Sequence, residues 1–142
     1  MVSRTSRFEL FDHTADLGVR VVAPSLPELV WPATEALYAA IGRPVGGGEP
    51  LAQTWEFGGA ESAVLLRDYL AEVLHWFDAR QMVVAALEAV RFGADGLAAG
   101  VRLQRLDSAA SVLEREVKAV TYHELSIQES DDGYVATFVL DI

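Results

Sequence analysis

Apolar and polar residues alternate in the first part of the chain. Between residues 8 and 22 the alternating apolar positions form two runs: Phe8 and Leu10, then Leu17, Val19 and Val21. A period of two residues is typical of strands that bury one face. The segment between the runs, Asp12-His13-Thr14-Ala15-Asp16, is rich in turn formers. The pattern predicts two short strands joined by a polar turn.

Two later segments follow the period of an α-helix. The first begins at Ser25, because Ser25 and Glu28 have the spacing of a capping box and Pro27 fits a first turn, and Gly42 is its predicted C-cap. Pro32 lies close enough to the start to bend this helix without ending it. The second predicted helix spans residues 62–79. The two apolar stripes are Leu26, Leu29, Val30, Ala33, Leu37, Ala40 and Ile41, and Leu65, Leu66, Tyr69, Leu70, Val73, Leu74 and Phe77.

A period of two residues returns in the second half of the chain. Strands are predicted near residues 54–57, 82–92, 97–106, 115–128 and 134–142, with turn signals at 93–96, 107–108 and 131–133. Gly46-Gly47-Gly48 is predicted to be a connecting loop, because it lacks the Gly-Lys-Ser/Thr ending of a phosphate loop. Consecutive strands joined by short turns pair antiparallel. We therefore predict an α+β fold, with mostly antiparallel sheet and two amphipathic helices, in a single compact domain over residues 1–142.

The composition of the chain bears on the cellular location of the protein and on the partners that it can bind. Of 142 residues 51% are hydrophobic, but no apolar run approaches the ~20 residues of a membrane helix. The chain has no cysteine, which excludes disulfides and thiolate metal sites, and its start does not resemble a signal peptide. These features predict a cytoplasmic protein without a membrane partner. The formal charge of −10 disfavours direct binding of RNA or DNA, because phosphate contacts need basic residues.

The most informative candidate chemistry is a set of carboxylates near the two ends of the chain. Asp12 and Asp16 flank the first predicted turn, and Asp141 stands beside the α-carboxylate of Ile142. If these groups meet, each pair at ~5 Å and an effective dielectric of ~20 repels by roughly 3 kcal/mol. Such a cluster requires a cation or protons, and oxygen ligands favour Ca²⁺, Mg²⁺ or Mn²⁺. The alternative is that each aspartate caps backbone N–H groups or is solvated.

Other chemical signatures fail or have a structural explanation. His123-Glu124 begins like the zinc motif His-Glu-x-x-His, but the fifth residue is Ile127. The Asp12–Asp16 segment lacks the glycine and the glutamate that an EF-hand needs at its sixth and twelfth places. We expect His75 to pack beside the apolar stripe of the second helix, the three tryptophans to be core or edge aromatics, and residues 114–116 to form a solvated strand edge.

Three motifs in order resemble the archease family. They are Asp12-His13-Thr14-Ala15-Asp16-Leu17-Gly18, Glu116-Val117-Lys118-Ala119-Val120-Thr121-Tyr122-His123, and the terminal Leu140-Asp141-Ile142. The resemblance implies an accessory protein of the RtcB-type RNA ligase. That enzyme joins a 2′,3′-cyclic-phosphate or 3′-phosphate end to a 5′-hydroxyl end, with GTP and divalent metal, in tRNA splicing and RNA repair. The chain would promote guanylylation and multiple turnover of the ligase, and would meet RNA only through it.

The resemblance also implies a divalent metal site. Asp16, Asp141 and Ile142 match the positions of its ligands, and the cation would be Ca²⁺, Mg²⁺ or Mn²⁺. Asp12 and His13 are candidates for positions beside the metal.

Lys118, Tyr122 and His123 match the second motif and are candidate contacts to the ligase. On a strand, Lys118 and Tyr122 would share one face, while Thr121 and His123 would share the other. Residues 100–110 depart from the family pattern and receive no functional assignment.

Three hypotheses follow for the function. The first is an activator that binds the ligase. The second is an independent metal-dependent phosphoester hydrolase that uses the same carboxylates, although the sequence offers no clear base, nucleophile or phosphate-binding loop. The third is a general chaperone-like binder of proteins, for which no exposed apolar helix is evident.

Overall fold

Ten strands and two α-helices follow one another in residues 6–13 and 16–142, the part of the chain that the computed structural model describes; of Asp12 and His13 it describes the backbone alone. The strands are β1 (Arg7–His13), β2 (Asp16–Ala23), β3 (Gly42–Arg43), β4 (Gly46–Phe57), β5 (Met82–Gly93), β6 (Gly96–Leu106), β7 (Val112–Leu113), β8 (Ala119–Val120), β9 (Ser126–Ser130) and β10 (Gly133–Asp141). The helices are α1 (Val30–Ile41), which follows a 3-10 turn at Pro27–Leu29, and α2 (Ser62–Arg80). Thr14 and Ala15, in the predicted polar turn, lie outside the described residues.

The strands form two larger antiparallel sheets and one small one. The first sheet has the order β1-β2-β10-β8, and β9 also pairs with β10. The second has the order β4-β6-β5, and β3 pairs with β7. The predicted α+β class with antiparallel strands is confirmed. The first strand pair therefore lies beside the last strand of the chain, which places both ends in one sheet.

The predicted capping-box residues Ser25 and Glu28 are in contact, but they lead into the 3-10 turn at Pro27–Leu29, and the α-helix begins at Val30 rather than at Ser25. The Glu28 backbone N–H donates to Ser25 Oγ at 3.4 Å, and Ser25 Oγ donates to the Glu28 carboxylate at 2.7 Å. Pro32 lies in the first turn of α1, and the helix continues past it as predicted. Gly42 ends α1 with φ +146° and with its N–H bonded to Tyr38 O, a conformation that favours glycine.

One hydrophobic core joins the helices to both larger sheets. Helix α1 contacts β1, β2 and β5, and α2 contacts β4, β5, β6, β8 and β9. Trp55 and Trp76 stack in this core with ring centroids 6.1 Å apart, and Trp31 packs against it, as the sequence predicted. In the described part of the chain, neither helix combines the length and apolar character needed to cross a membrane.

The predicted loop at Gly46-Gly47-Gly48 is wrong. Strand β4 begins at Gly46, and Gly46 and Gly47 pair with Leu106 and Arg105 before a register shift. A β carbon on Gly46 would stand 2.7 Å from the Val83 side chain and 2.8 Å from that of Gln104. Glycine is therefore required at position 46 because side chains of the neighbouring strands approach it closely, and it does not provide a flexible connection.

The predicted continuous strand over 115–128 is also wrong. Only Ala119–Val120 and Ser126–Ser130 of this region pair as strands, and residues 114–118 and 121–125 are irregular. The buried residues Val117 and Val120 are three positions apart, which a period of two does not accommodate. Residues 114–116 are exposed as expected, but they do not form a strand edge.

Candidate functional site

Asp16 and Asp141 lie directly opposite each other in the ladder between β2 and β10. Their neighbours Leu17 and Leu140 form the next pair and are buried in the core. Because side chains alternate along a strand, both aspartates lie on the opposite face, where each is half-buried. The β carbons of opposed residues are typically about 4.5–5.5 Å apart. Two of the candidate carboxylates, Asp16 and Asp141, therefore form a cross-strand pair.

The other candidate residues, Ile142, His13 and Asp12, adjoin this pair along the chain or across the β1–β2 ladder. Ile142 follows Asp141 and packs partly against the core. In the register of β1 and β2, His13 pairs with Asp16 and Asp12 pairs with Leu17. The side chains of Asp12 and His13 lie outside the described residues, so their placement beside a metal stays a prediction.

The donor atoms of this pair suit a hard divalent cation. Among the side chains that the structure describes, no group of three or more His, Cys, Asp or Glu is arranged to hold a metal ion. Two carboxylates can nevertheless serve Ca²⁺ or Mg²⁺, because both ions also accept main-chain oxygens and water. A cation here would depend on Asp16, Asp141 and oxygens of the adjoining main chain.

The segment that contains Lys118 is hydrogen-bonded to the far edge of β10, next to Asp141. The Lys118 N–H donates to Asp141 O at 2.7 Å. Thr121 donates to Val139 O with both its N–H, at 3.0 Å, and its Oγ1, at 2.9 Å. The second motif is thus hydrogen-bonded to one edge of β10, the strand that carries the third motif. The first motif lies at the other edge of β10, in β1 and β2.

The predicted strand faces for the second motif are not present. Lys118 precedes β8, whereas Thr121, Tyr122 and His123 follow it in an irregular turn that ends at Glu124, with φ +54°. Lys118 and His123 are exposed, and Tyr122 is 62% exposed. These side chains are accessible, but alternation along a strand does not determine their directions.

Arg67 of α2, which no motif in the sequence marks, holds this turn in place. Its Nε donates to Val120 O at 2.9 Å, and its Nη1 donates to Tyr122 Oη and to Asp68 Oδ1, each at 3.0 Å. Its guanidinium carbon lies 4.3 Å from the centre of the Tyr122 ring. An arginine at the border of the apolar stripe was the available signal, but its contacts with residues 120 and 122 are not local.

A small cavity of about 230 Å³ lies beside Lys118, between α2 and β8. Arg67, His75, Asp78 and Lys118 contribute its polar wall. Burial raises the pKa of Asp78 and the charge of Glu116 raises it further, while His75 opposes the shift.

The expected packing of His75 is wrong, because this residue is exposed. His75 follows the buried Val73 by two residues, or about 200° around the helix, which turns it away from the core.

Comparisons with known proteins find relatives over nearly the whole chain. The sequence model of the Archease protein family (MTH1598/TM1083) matches residues 8–142. Protein archease of Archaeoglobus fulgidus is 31% identical over 136 residues, which cover 96% of this chain and 99% of that protein.

Two solved structures have the same fold. The solution structure of Methanobacterium thermoautotrophicum protein 1598 matches with a TM-score of 0.74 at 25% identity, over 95% of this chain and 98% of that one. The crystal structure of an archease from Thermotoga maritima, described as a possible chaperone, matches with a TM-score of 0.69 at 19% identity, over 100% of this chain and 98% of that one. The second likeness concerns the fold alone. With the family match over nearly its full length and its motifs gathered on one sheet, the chain belongs to the archease family.

Proposed function

We propose that this protein activates an RtcB-type RNA ligase by holding a divalent cation at Asp16, Asp141 and the carboxylate of Ile142. The observation that carries the proposal is the direct pairing of Asp16 with Asp141 in a member of the archease family. Two like charges opposed on a sheet destabilise it unless a counter-charge is present. Aspartate at both positions supplies the carboxylate oxygens that a divalent cation prefers.

The chain's own residues would fix the geometry of this pair. Asp141 is held on both edges of β10, by Asp16 in β2 and by Ala119 in β8, and its carbonyl accepts the Lys118 N–H. These contacts fix the main chain that carries the carboxylate, so the backbone loses little freedom when the site engages a partner. A bound cation would supply positive charge for phosphate groups in the ligase active site.

The charge of the protein suits an accessory role. A chain with formal charge −10 repels a polyanion in the absence of a local basic patch or a cation, so the ligase would bind the RNA. The archease would contribute an acidic surface and the cation to guanylylation and to repeated turnover. We place this activity in the cytoplasm.

The experiment that tests this function is RNA ligation by the cognate ligase under single-turnover and multiple-turnover conditions. Wild type should stimulate both guanylylation and turnover, whereas Asp16→Ala and Asp141→Ala should leave the ligase at its unassisted rate. Asp132→Ala is a matched control, because Asp132 is an exposed carboxylate in the turn between β9 and β10. Full stimulation by both site variants, or none by wild type, would refute the proposal. Phosphate release from RNA by the isolated chain would instead favour the hydrolase hypothesis.

A C-terminal extension tests the role of Ile142 separately. Residues appended after Ile142 convert its carboxylate into a neutral peptide carbonyl and crowd the site. We expect weaker Ca²⁺, Mg²⁺ and Mn²⁺ binding and reduced ligation, whereas an N-terminal extension should change neither. Unaltered metal affinity in the C-terminally extended protein would remove Ile142 from the ligand set.

A further inference from the structure

Tyr122 is an exposed aromatic residue whose ring and hydroxyl are both held by one arginine. Its side chain is 62% exposed, the largest exposure among the large hydrophobic residues described. The guanidinium of Arg67 nevertheless lies 4.3 Å from the ring centre and donates to its hydroxyl at 3.0 Å. Asp68 accepts from the same guanidinium nitrogen at 3.0 Å, which keeps the arginine in place.

These contacts order Tyr122 without burying it. Arginine suits this role because its planar group can stack on a ring while its N–H groups point to fixed acceptors. A third Arg67 contact, to Val120 O at 2.9 Å, fixes the backbone immediately before the turn. The hydrophobic effect does not explain this arrangement, since most of the ring stays in water.

The ordered turn belongs to the same end of the sheet as the aspartate pair. The backbone N–H groups of Lys118 and Thr121 are bonded to β10 at Asp141 and Val139. Tyr122 follows Thr121 directly, so the β10 edge that carries Asp141 also anchors this turn. A surface that receives the aspartate pair would meet this turn as well.

We propose that Arg67 is a positioning residue that fixes Tyr122 as an aromatic anchor for the ligase. The inference rests on the proposed function. Ordered tyrosines are frequent among the residues that dominate binding energies, because they bring large area at low entropic cost. Arg67 occupies one face of the Tyr122 ring, so the partner would offer an apolar pocket to the other face and to the ring edge.

The test is the dissociation constant of the full chain with its ligase, measured in the presence of Mn²⁺. We expect Tyr122→Ala to weaken binding by about 30-fold and Arg67→Ala by about 5- to 10-fold. Arg67→Lys should lie between Arg67→Ala and wild type, because lysine keeps the charge but not the planar group. Arg80→Lys is a matched control, since Arg80 lies 4.6 Å from the centre of the Trp76 ring on the same helix, and it should bind like wild type.

A double-mutant cycle separates positioning of Tyr122 from general support of the fold. If Arg67 acts through Tyr122, the Arg67→Ala/Tyr122→Ala protein binds no more weakly than Tyr122→Ala alone. If the fold-changes of the two single variants multiply in the double variant, the inference is overturned while ligase activation stands. The same holds if both single variants bind with wild-type affinity. Absence of any binding by wild type overturns both this inference and the proposed function. Metal affinity of the isolated variants should equal that of wild type.

Discussion

Replacing Asp141 by asparagine should stabilise the protein when no metal is present. The change removes one of two charges that face each other across β2 and β10, and it keeps the shape of the side chain. Favourable cross-strand pairs contribute about 0.2–1 kcal/mol, and we take the unfavourable pairing of like charges to be of similar size. The larger Coulomb figure of roughly 3 kcal/mol is an upper bound here, because both side chains are only half-buried and water screens them.

The expected change in unfolding temperature follows from the length of the chain. An unfolding entropy of about 2.1 cal/mol/K per residue gives roughly 0.3 kcal/mol/K for 142 residues. Relief of about 0.2–1 kcal/mol would therefore raise the unfolding temperature of the metal-free protein by about 1–3 °C.

Added metal should reverse the order of the two proteins. A ligand at 100 times its dissociation constant stabilises a native state by about 2.7 kcal/mol. Wild type would then unfold about 9 °C higher than without metal. Asp141→Asn would lose most of that gain, because one of its two aligned carboxylates has become neutral.

Calorimetric unfolding at low salt measures both effects, with EDTA or with excess Ca²⁺, Mg²⁺ or Mn²⁺. Asp132→Asn is the control, because it removes one negative charge from the exposed turn between β9 and β10. It should shift the unfolding temperature little and keep the full metal response. If Asp141→Asn is no more stable than this control in EDTA, or gains as much as wild type from every metal, the reasoning fails.

Three further predictions concern a buried hydrogen bond, a close contact between β1 and β2, and a carboxyl group on α2. Thr34→Val should cost about 2 kcal/mol in urea unfolding, because it removes the 2.8 Å hydrogen-bond partner of the buried Tyr69 hydroxyl; adding Tyr69→Phe should recover part of that loss. Gly18→Ala should cost about 1 kcal/mol, since the Phe11 ring occupies the place of the new methyl group; in a Phe11→Ala background the same urea measurement should show no cost. Burial and a nearby glutamate raise the pKa of Asp78 in the folded protein, so charged Asp78 opposes folding above that pKa. Asp78→Asn should therefore raise the unfolding temperature at pH 7, and the gain should vanish as pH falls below the ordinary carboxyl value of 3.8.

The elements with strong periodicity could be predicted from sequence because they bury one continuous face. Strand β2 alternates Leu17, Val19 and Val21, all buried, and α2 repeats its apolar positions over five turns. The region after Glu114 could not be predicted in this way. Its structure depends on hydrogen bonds to β10 and on the remote Arg67, which leave no periodic trace in the local sequence.

The candidate site could likewise be predicted from sequence only in part. Its carboxylates could be named from sequence, because residue type and motif order were sufficient for that. Their pairing across β2 and β10 required the fold, since Asp16 and Asp141 are separated by almost the whole chain. Arg67 was missed because its partners lie more than 50 positions away, with separations of 53 and 55 residues to Val120 and Tyr122.

The core fixes the geometry of the site through the register of two strands. Leu17, Val19 and Val21 of β2 stand opposite Leu140, Phe138 and Ala136 of β10, and all six are buried. A slip of one residue would expose the apolar set of the slipped strand and would turn its aspartate towards the core. The hydrophobic cost of that exchange greatly exceeds the repulsion between the two carboxylates, at roughly 1.5–3 kcal/mol for each large side chain. The alternation that predicts the strands from sequence therefore also holds Asp16 against Asp141, with or without a cation.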